Sequence, residues 1–371
     1  LNLFLPALPT LASDLGTDYA TATWAIAGYL AATGVVQLCA GPISDRIGRR
    51  PVALAVLAIF SVASVGCALA QDFVAFMVFR MLQAVMVAGY TVSLAVVRDT
   101  APASDTATDA RSTAGRIGTI AAIMAVMPMG APILGGAIDA GIGWRGCFWL
   151  YAFMGAALAL RVSLDLTETR RPNQGPPPAR RLFRSPLFWG FSLCATMSTS
   201  SFYIFLAGAP YVAVATYGLS STVVGVVLGS ITLGFFTGSA ITARLAGRLG
   251  ALPLILAGRV VACAGLVAAL SALAFGPIPA LLFFAATLCV GLGNGLTTPS
   301  ANAGAVSVEP AAAGTAAGVT GAMTVTAGAV FTAVTGAAVA TGDPGATLLL
   351  LMLTASALSA AGVLVTFVKG T

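Results

Sequence analysis

The sequence has little charge and no histidine. Of its 371 residues, only 8% are charged and 58% are hydrophobic. Soluble domains carry about 25% charged residues, so this chain cannot cover a water-exposed surface with charge, and lipid must cover most of it. The lack of histidine removes the commonest general base and metal ligand. Apolar windows of about 18 residues, long enough for a membrane-spanning helix, recur along the chain.

Cysteine is scarce and scattered. The six cysteines show no CxxC pair and no metal-ligand spacing, and most of them lie inside apolar windows. We interpret them as small core residues rather than as disulfide partners or ligands. The sequence therefore predicts no metal site and no cofactor, and we do not expect an enzyme.

The apolar pattern predicts twelve helical segments, of which the first is too short to span a bilayer. The predicted fold class is an all-α membrane protein with twelve transmembrane helices, the first of them incomplete here. The segments cover about 1–12, 20–43, 51–70, 73–98, 113–138, 146–165, 187–215, 221–245, 251–275, 278–300, 312–339 and 345–368.

The placement of arginine predicts the orientation, because positive charge marks the cytoplasmic side of a membrane protein. Both termini are expected to be cytoplasmic, and the net charge of +6 is an orientation signal rather than a sign of nucleic-acid binding. The basic turns hold Arg46, Arg49, Arg50, Arg98, Arg111, Arg116, Arg161, Arg170, Arg171, Arg180, Arg181, Arg184, Arg244, Arg248 and Arg259. The alternate turns hold Arg145 with Asp14, Asp18, Asp72, Asp139 and Asp343.

A proline-rich polar linker, 170–186, divides the chain into two predicted six-helix bundles, 1–169 and 187–371. The halves repeat, since Arg46-Ile47-Gly48-x-x-Pro51 matches Arg248-Leu249-Gly250-x-x-Pro253 at an offset of 202. A second match joins Phe4-Leu5-x-x-x-Pro9 to Phe205-Leu206-x-x-x-Pro210. Parallel six-helix repeats are typical of transporters whose site lies at the repeat interface.

The repeat also predicts that the chain begins inside a helix. The seventh segment begins near 187, so its partner would begin about fourteen residues before Leu1. Because the chain does not begin with methionine, we expect the first half of helix one to be missing. A cleaved signal peptide is the alternative.

A charged segment, 41–51, lies between the second and third helices and reads GPISDRIGRRP. Gly48 permits a tight turn, and Asp45 can stabilise a helix N-terminus or pair with an arginine. The arginines can bind acidic side chains or lipid phosphates. A basic loop that only sets topology is the alternative. The order of the residues favours a latch that closes the cytoplasmic face, formed by Gly41, Asp45, Arg46, Gly48, Arg49 and Arg50.

Three motifs resemble those of the major facilitator superfamily. Gly41-x-x-x-Asp45-Arg46-x-Gly48-Arg49-Arg50 resembles its loop 2–3 motif. Phe79-Arg80-Met81-Leu82-Gln83-Ala84 resembles its helix-four R-x-x-Q-G motif, and Gly130-Ala131-Pro132-Ile133-Leu134-Gly135-Gly136 its helix-five antiporter motif. The run 3–9, Trp144-Arg145 and Glu168-Thr169 are similar to the Bcr/CflA (bicyclomycin/chloramphenicol-resistance) branch of drug exporters.

The resemblance implies a secondary transporter of the bacterial inner membrane that exports small drug-like or amphipathic compounds. Its central site would open to each side alternately as the two halves rock. Proton entry would drive export, with no cofactor besides the proton gradient. The partners would be the small-molecule substrate, the proton and the lipid bilayer, and a monomer is expected.

Arg80 is the one cation that the pattern places well inside an apolar window, where charge is costly unless paired or hydrated. Snorkelling of its side chain to the membrane surface is the alternative. The resemblance implies a role in proton coupling or in ordering polar groups near the cavity.

The helix-five motif gives that helix a face of small residues. Gly130, Pro132, Gly135 and Gly136 make one face of this helix thin. Ordinary small-residue packing would explain such a face, and the resemblance implies that it meets helix eight and limits leak.

The proton carrier stays open at this point. Asn2 stands where many members of the branch have an acidic residue, and no Asp or Glu lies in the middle of a predicted span. The missing N-terminal piece, Asp14, Asp139 or a charge on the substrate could carry the coupling.

A multidrug cavity should be mostly apolar and aromatic, with a few polar groups. The candidate substrate contacts are Asn2, Tyr29, Gln37, Tyr90, Met124, Met127, Phe202, Tyr203, Phe205 and Asn294. Packing or lipid contact is an equal alternative for each of them. Two other functions remain open: a major facilitator for a metabolite such as a sugar, nucleoside or amino acid, and, more remotely, a polytopic membrane enzyme.

Overall fold

The computed structural model describes residues 2–99, 131–168, 180–309 and 312–368, and every regular element within these ranges is a helix. This confirms the predicted all-α fold class. Met124, Met127, Gly130 and most of the linker 170–186 lie outside the described residues.

The first half contains six numbered helices. A 3-10 segment, Asn2–Ala7, leads into the first of them, and a short helix, Tyr19–Ala22, precedes the second. The numbered helices are α1 (Leu8–Asp14), α2 (Trp24–Ile47), α3 (Arg49–Leu69), α4 (Phe73–Leu82, then Met86–Asp99 after the 3-10 turn Gln83–Val85), α5 (Ala131–Ile142) and α6 (Arg145–Asp165).

The second half has six long helices, after a short one at Arg180–Phe183. They are α7 (Pro186–Ala215), α8 (Ser221–Leu249), α9 (Ala251–Ala274), α10 (Ala280–Ser307), α11 (Ala313–Val339) and α12 (Pro344–Val368). Within the described residues, eight helices are long and apolar enough to cross a membrane, namely α3, α6 and these six.

The two ends of the bundle differ in charge. We call the end that carries the α2–α3 turn with Arg49 and Arg50 the basic end. The opposite end, which carries Asp14, Asp18, Asp72, Asp139 and Asp343, we call the acidic end.

Glycine allows the helices to approach closely. Gly234 and Gly238 on α8 face Gly291 and Gly295 on α10, and both pairs are spaced four residues apart. A Cβ atom added at Gly234 would overlap the Leu288 carbonyl oxygen. Small residues at this spacing are typical of membrane helices whose backbones touch, because lipid gives no hydrophobic drive for association.

The charged segment 41–51 is mostly helical. α2 continues to Ile47 and α3 begins at Arg49, so Gly48 alone forms the turn, with φ +117°. Its repeat partner Gly250 forms the same one-residue turn between α8 and α9, with φ +75°. Glycine is required because an L side chain clashes with its own backbone at positive φ.

Replacing Gly250 by Ala should destabilise the protein by about 1–2 kcal/mol, the cost of placing a side chain in the left-handed region. A Cβ atom there meets nothing within 4 Å, so strain is the sole cause. The thermal unfolding midpoint of the purified protein measures the effect.

Gly141→Ala is the matched control, because Gly141 is also open but lies in a helix at ordinary φ. It should leave the midpoint unchanged or raise it. Equal midpoints for the two variants would contradict the strain.

Candidate functional site

Arg80 lies two turns into α4 and is 1% exposed. Its Nε donates to the Ala25 carbonyl of α2 at 3.1 Å, and its Nη1 donates to Gln83 Oε1 at 2.5 Å. The guanidinium also lies over two rings, 4.2 Å from the centroid of Tyr29 and 4.5 Å from that of Phe4. The alternative that Arg80 snorkels to the membrane surface is therefore wrong, since the protein interior encloses the charge.

Gln83 extends this contact to a third helix. Its Nε2 donates to Ser64 Oγ of α3 at 2.7 Å, and Ser64 donates to the Phe60 carbonyl at 2.7 Å. Arg80 and Gln83 are three residues apart, so both side chains share one face of α4. The guanidinium thus ties α2, α3 and α4 together without a carboxylate among its described contacts.

Aromatic rings pack around the buried cation. Phe148 of α6 lies 6.0 Å from the Arg80 guanidinium and meets Phe76 edge to face, with ring centroids 5.4 Å apart. Trp144 packs edge to face on both rings. Ring faces carry negative partial charge, so they stabilise a cation that water cannot reach. We call Arg80, Gln83, Ser64, Tyr29, Phe4 and Phe148 the Arg80 cage.

At the basic end, Glu168 fastens the α2–α3 turn. Its carboxylate accepts hydrogen bonds from the backbone N–H groups of Arg49 at 2.9 Å and Arg50 at 3.2 Å, the first N–H groups of α3. Glu168 therefore acts as an N-cap supplied from beyond α6, and its charge also suits the positive end of a helix. Arg50 Nη2 donates in return to the Ser163 carbonyl of α6 at 2.9 Å.

The structure describes the surroundings of some of the other predicted latch residues but not of all of them. Arg49 is buried and its Nη1 donates to Ser44 Oγ of α2 at 2.6 Å, whereas Arg46 is exposed. Gly41 and Asp45 lie on α2. The contacts of Gly41 and of the Asp45 side chain fall outside the described part of the structure.

The glycine face of α5 meets the 3-10 segment Asn2–Ala7 and α8. A Cβ atom at Gly135 would overlap the Leu3 carbonyl of the first segment. One at Gly136 would lie 2.5 Å from the Ser221 carbonyl oxygen of α8. The Pro132 carbonyl in turn faces Gly225 of α8, where an added Cβ atom would lie 2.5 Å away.

An ionic cluster closes the acidic end of the first half. Arg145 pairs with Asp14 and donates to the Ala70 carbonyl at 3.1 Å, while Trp144 Nε1 donates to Asp14 at 3.0 Å. Hydrogen bonds from Arg145 and then Trp144 hold the pKa of Asp14, at the exposed end of α1, below its usual value.

An open pocket of about 570 Å³ lies beside this cluster, lined by Thr10, Ser13, Asp14, Asp139, Ile142, Gly143, Trp144 and Arg145. Asp139 is 9% exposed and accepts a hydrogen bond from Thr10 Oγ1 at 2.9 Å. Among the residues that the structure describes, no group of three His, Cys, Asp or Glu side chains could hold a metal ion.

The predicted substrate contacts that the structure describes have different surroundings. Tyr29 belongs to the Arg80 cage, and Phe205 is fully buried in the apolar core. Tyr203 packs against Gly328 of α11, with Phe202 6.2 Å from it between ring centroids. Gln37 faces Gly321 of α11. The side chains of Asn2 and Tyr90 lie outside the described residues.

Comparison with known proteins decides the family. The family described as Major Facilitator Superfamily matches residues 1–333. The chain belongs to the major facilitator superfamily.

Curated relatives of this major facilitator include drug-resistance proteins. Multidrug resistance protein MdtL of Escherichia fergusonii is 31% identical over 249 residues, which are 64% of this chain and 61% of that protein. MdtL of Escherichia coli O81 is 36% identical over 172 residues, 46% of this chain and 42% of that protein. The chain thus spans between 42% and 61% of these two relatives.

Solved structures share the fold. A bacterial homolog of the human lysosomal transporter Spinster, in an inward-facing and occupied conformation, matches with a TM-score of 0.75 and 19% identity over 100% of this chain and 94% of that chain. A D-xylose-proton symporter matches with a TM-score of 0.70 and 14% identity over 96% and 92%. These matches confirm the predicted major facilitator fold, and membership of that superfamily favours a multi-pass membrane transporter over an enzyme.

One placement made from the sequence is wrong. Arg259 does not flank the turn after α8 but lies inside α9, where it is 2% exposed. Arg80 is therefore not the one cation within an apolar window. A single arginine about two turns from a helix end looks the same in sequence whether it faces the surface or the interior. Its burial depends on Asn294 and Thr297 of α10, which accept its hydrogen bonds.

Gln83→Leu should destabilise this major facilitator. The substitution leaves Arg80 Nη1 and Ser64 without their partner, and an unsatisfied buried polar group costs about 1–3 kcal/mol, more when charged. We expect a lower thermal unfolding midpoint and less folded protein in detergent.

Thr287→Val is the control, since this buried hydroxyl of α10 donates within its own helix to the Phe284 carbonyl at 2.8 Å. A midpoint for Gln83→Leu no lower than that of the control would argue against the Arg80 cage.

Proposed function

We propose that this chain exports small drug-like or amphipathic compounds by alternating access. The main support for this proposal is the way the two halves meet. We call the contacts of α5 with α8 and of α2 with α11 the seam. Gly136 and Gly225 bring α5 and α8 into backbone contact with the carbonyls of Ser221 and Pro132. Because such contacts hold no charge, the halves can separate there without breaking an ion pair.

The α2–α11 side of the seam is built in the same way. Thr23 of α2 packs on Gly336 near the acidic end, and Gln37 packs on Gly321 nearer the basic end. Between the halves, Tyr19 also donates to the Ala207 carbonyl of α7 at 2.6 Å. The structure is thus closed over the acidic end, which fits one state of a transporter that rocks about a central site.

The cargo follows from similarity and from composition. Two relatives carry the name multidrug resistance protein. The run 3–9, Trp144-Arg145 and Glu168-Thr169 resemble the Bcr/CflA branch of exporters. Half-buried aromatic side chains near the middle of the halves, such as Tyr29, Phe202 and Tyr203, suit apolar and amphipathic compounds.

We assign the basic end to the cytoplasm of a bacterial inner membrane, following the positive-inside rule. Asp45 and the arginines of segment 41–51 then form a cytoplasmic latch, with Glu168 holding the turn in place. Proton entry from the acidic side drives export. Asp139 is the one buried carboxylate among the described residues, and the open pocket gives water access to it.

A metabolite transporter is the second candidate. Besides Arg49 at the α2–α3 turn, the described interior holds two arginines, Arg80 and Arg259, and two amides, Gln83 and Asn294, more polar groups than the sequence suggested. These groups mainly bond to one another, which leaves fewer of them for a polar solute.

Drug-dependent proton release from energised inverted membrane vesicles tests the proposed function. Amphipathic compounds should dissipate an imposed inward-acid gradient, reported by a pH-sensitive dye, because each exported molecule exchanges for protons. Sugars, nucleosides and amino acids should not. The opposite pattern would favour the metabolite transporter, and vesicles without the chain serve as the control.

Gly136→Ala should slow transport. The added methyl group would lie 2.5 Å from the Ser221 carbonyl oxygen, so the closed seam must loosen. Overpacking costs about 1–3 kcal/mol, which corresponds to roughly a tenfold fall in initial efflux rate per folded molecule. Gly141→Ala on the same helix should transport normally, and equal rates for both variants would contradict the role of the seam.

A further inference from the structure

Arg259 is a cation held by neutral groups. Its Nε donates to Thr297 Oγ1 at 2.9 Å, and its Nη2 donates to Asn294 Oδ1 at 2.8 Å. Both partners lie on α10, and no ion pair of Arg259 with a carboxylate occurs within the described ranges. Burying a charge without an opposite charge is costly, so its hydrogen bonds to neutral oxygens matter more here than at a surface.

The guanidinium fixes the direction in which Asn294 points. Asn294 Oδ1 accepts from Arg259 and also from Ser198 Oγ at 2.9 Å, and its Nδ2 donates to Ser201 Oγ at 3.1 Å. A guanidinium can only donate. A flipped amide would therefore set its NH₂ group against a donor, and the orientation seen here is the one that satisfies both helices.

The donor and acceptor roles fixed at Asn294 also determine which atom donates between Ser198 and Thr298. Ser198 Oγ lies 3.1 Å from Thr298 Oγ1. The single hydrogen of Ser198 is directed at Asn294 Oδ1, which can only accept, so Thr298 must donate to Ser198. The lone pairs of Thr298 Oγ1 are then left to accept a hydrogen bond from another group.

Exposure changes along this series of side chains. Arg259, Asn294 and Ser198 are buried, whereas Thr298 is half-buried. The series therefore begins at an enclosed cation on α9, runs through α10 and α7, and ends at Thr298, a half-buried residue of α10. We call Arg259, Asn294, Ser198 and Thr298 the Arg259 relay.

We propose that Arg259 is a positioning residue that sets the polarity of the relay, and that Thr298 accepts a hydrogen bond from an N–H or O–H group of the transported compound. The inference rests on the proposed export function and adds a substrate class to it. Compounds that carry a hydrogen-bond donor gain one contact that purely apolar cations lack.

Two probes separate this contact from general binding. Chloramphenicol carries two hydroxyls and an amide N–H, whereas tetraphenylphosphonium carries no N–H or O–H group. Their half-saturating concentrations and maximal rates are measured in inverted vesicles, per folded molecule, for wild type and variants.

Arg259→Met and Thr298→Val should each raise the half-saturating concentration of chloramphenicol by about 3- to 10-fold, the worth of one hydrogen bond. That of tetraphenylphosphonium should not change. Arg259→Lys should restore chloramphenicol transport in part, because an ammonium also only donates. Arg259→Met should remain folded, since replacing a buried charge by an apolar side chain of similar size is often neutral or stabilising.

Two controls lie on the same helices. Thr287→Val on α10 and Ser200→Ala on α7 remove buried hydroxyls that donate within their own helices, so neither should change either concentration. If Arg259→Met lowers only the amount of folded protein, Thr298→Val still tests the contact at its accessible end.

Each outcome decides the matter. Equal shifts for both probes, or no shift for chloramphenicol in Thr298→Val, would overturn the inference and leave the export function standing. Export of tetraphenylphosphonium but not chloramphenicol by the wild type would do the same. A wild type that exports neither probe and no other amphipathic compound would overturn the export function and, with it, the role of Thr298.

Discussion

A cation inside a lipid-covered protein must obtain all its solvation from neighbouring helices, because neither water nor lipid can supply it. The structure meets this constraint in different ways at Arg80 and at Arg259. Arg80 uses the faces of Tyr29 and Phe4 together with Gln83, whereas Arg259 uses amide and hydroxyl oxygens of α10. Each guanidinium joins helices of one half only. These two buried charges therefore stabilise each half internally rather than the surface where the halves meet.

That surface is built on the opposite principle. Gly136, Gly225 and Gly336 let backbones and small side chains touch across it. Attraction at such contacts comes from many weak dispersion terms that fall off within a fraction of an ångström. It is strong only in a matched register, which favours a small number of discrete arrangements of two rigid bodies over continuous deformation. Glycine contacts of this kind, with a rigid half on either side of them, suit the rocking motion that we propose.

Much of the fold could be predicted from the sequence, since a bilayer requires about 20 apolar residues whatever packs around them. The Arg80–Gln83 contact also follows from local spacing on one helix. Glu168 and Arg259 could not be placed in this way. Glu168 caps a helix that begins 119 positions earlier in the chain, and the burial of Arg259 depends on α10. Phe205 and Asn294 show the same limit, because their residue types alone suggested that they line a cavity. Phe205 instead packs in the apolar core, and Asn294 accepts a hydrogen bond from the buried Arg259.

The one-residue turns at Gly48 and Gly250 have a mechanical consequence. A single residue leaves little freedom between α2 and α3, so we expect a displacement of one helix to carry the other with it. α2 lies on α11 at the seam, while α3 exposes apolar side chains such as Val62 and Leu69 outward. We therefore expect the lateral pressure of the acyl chains on α3 to act on the seam through this turn, so that the thickness and stiffness of the bilayer would affect the proposed rocking of the halves.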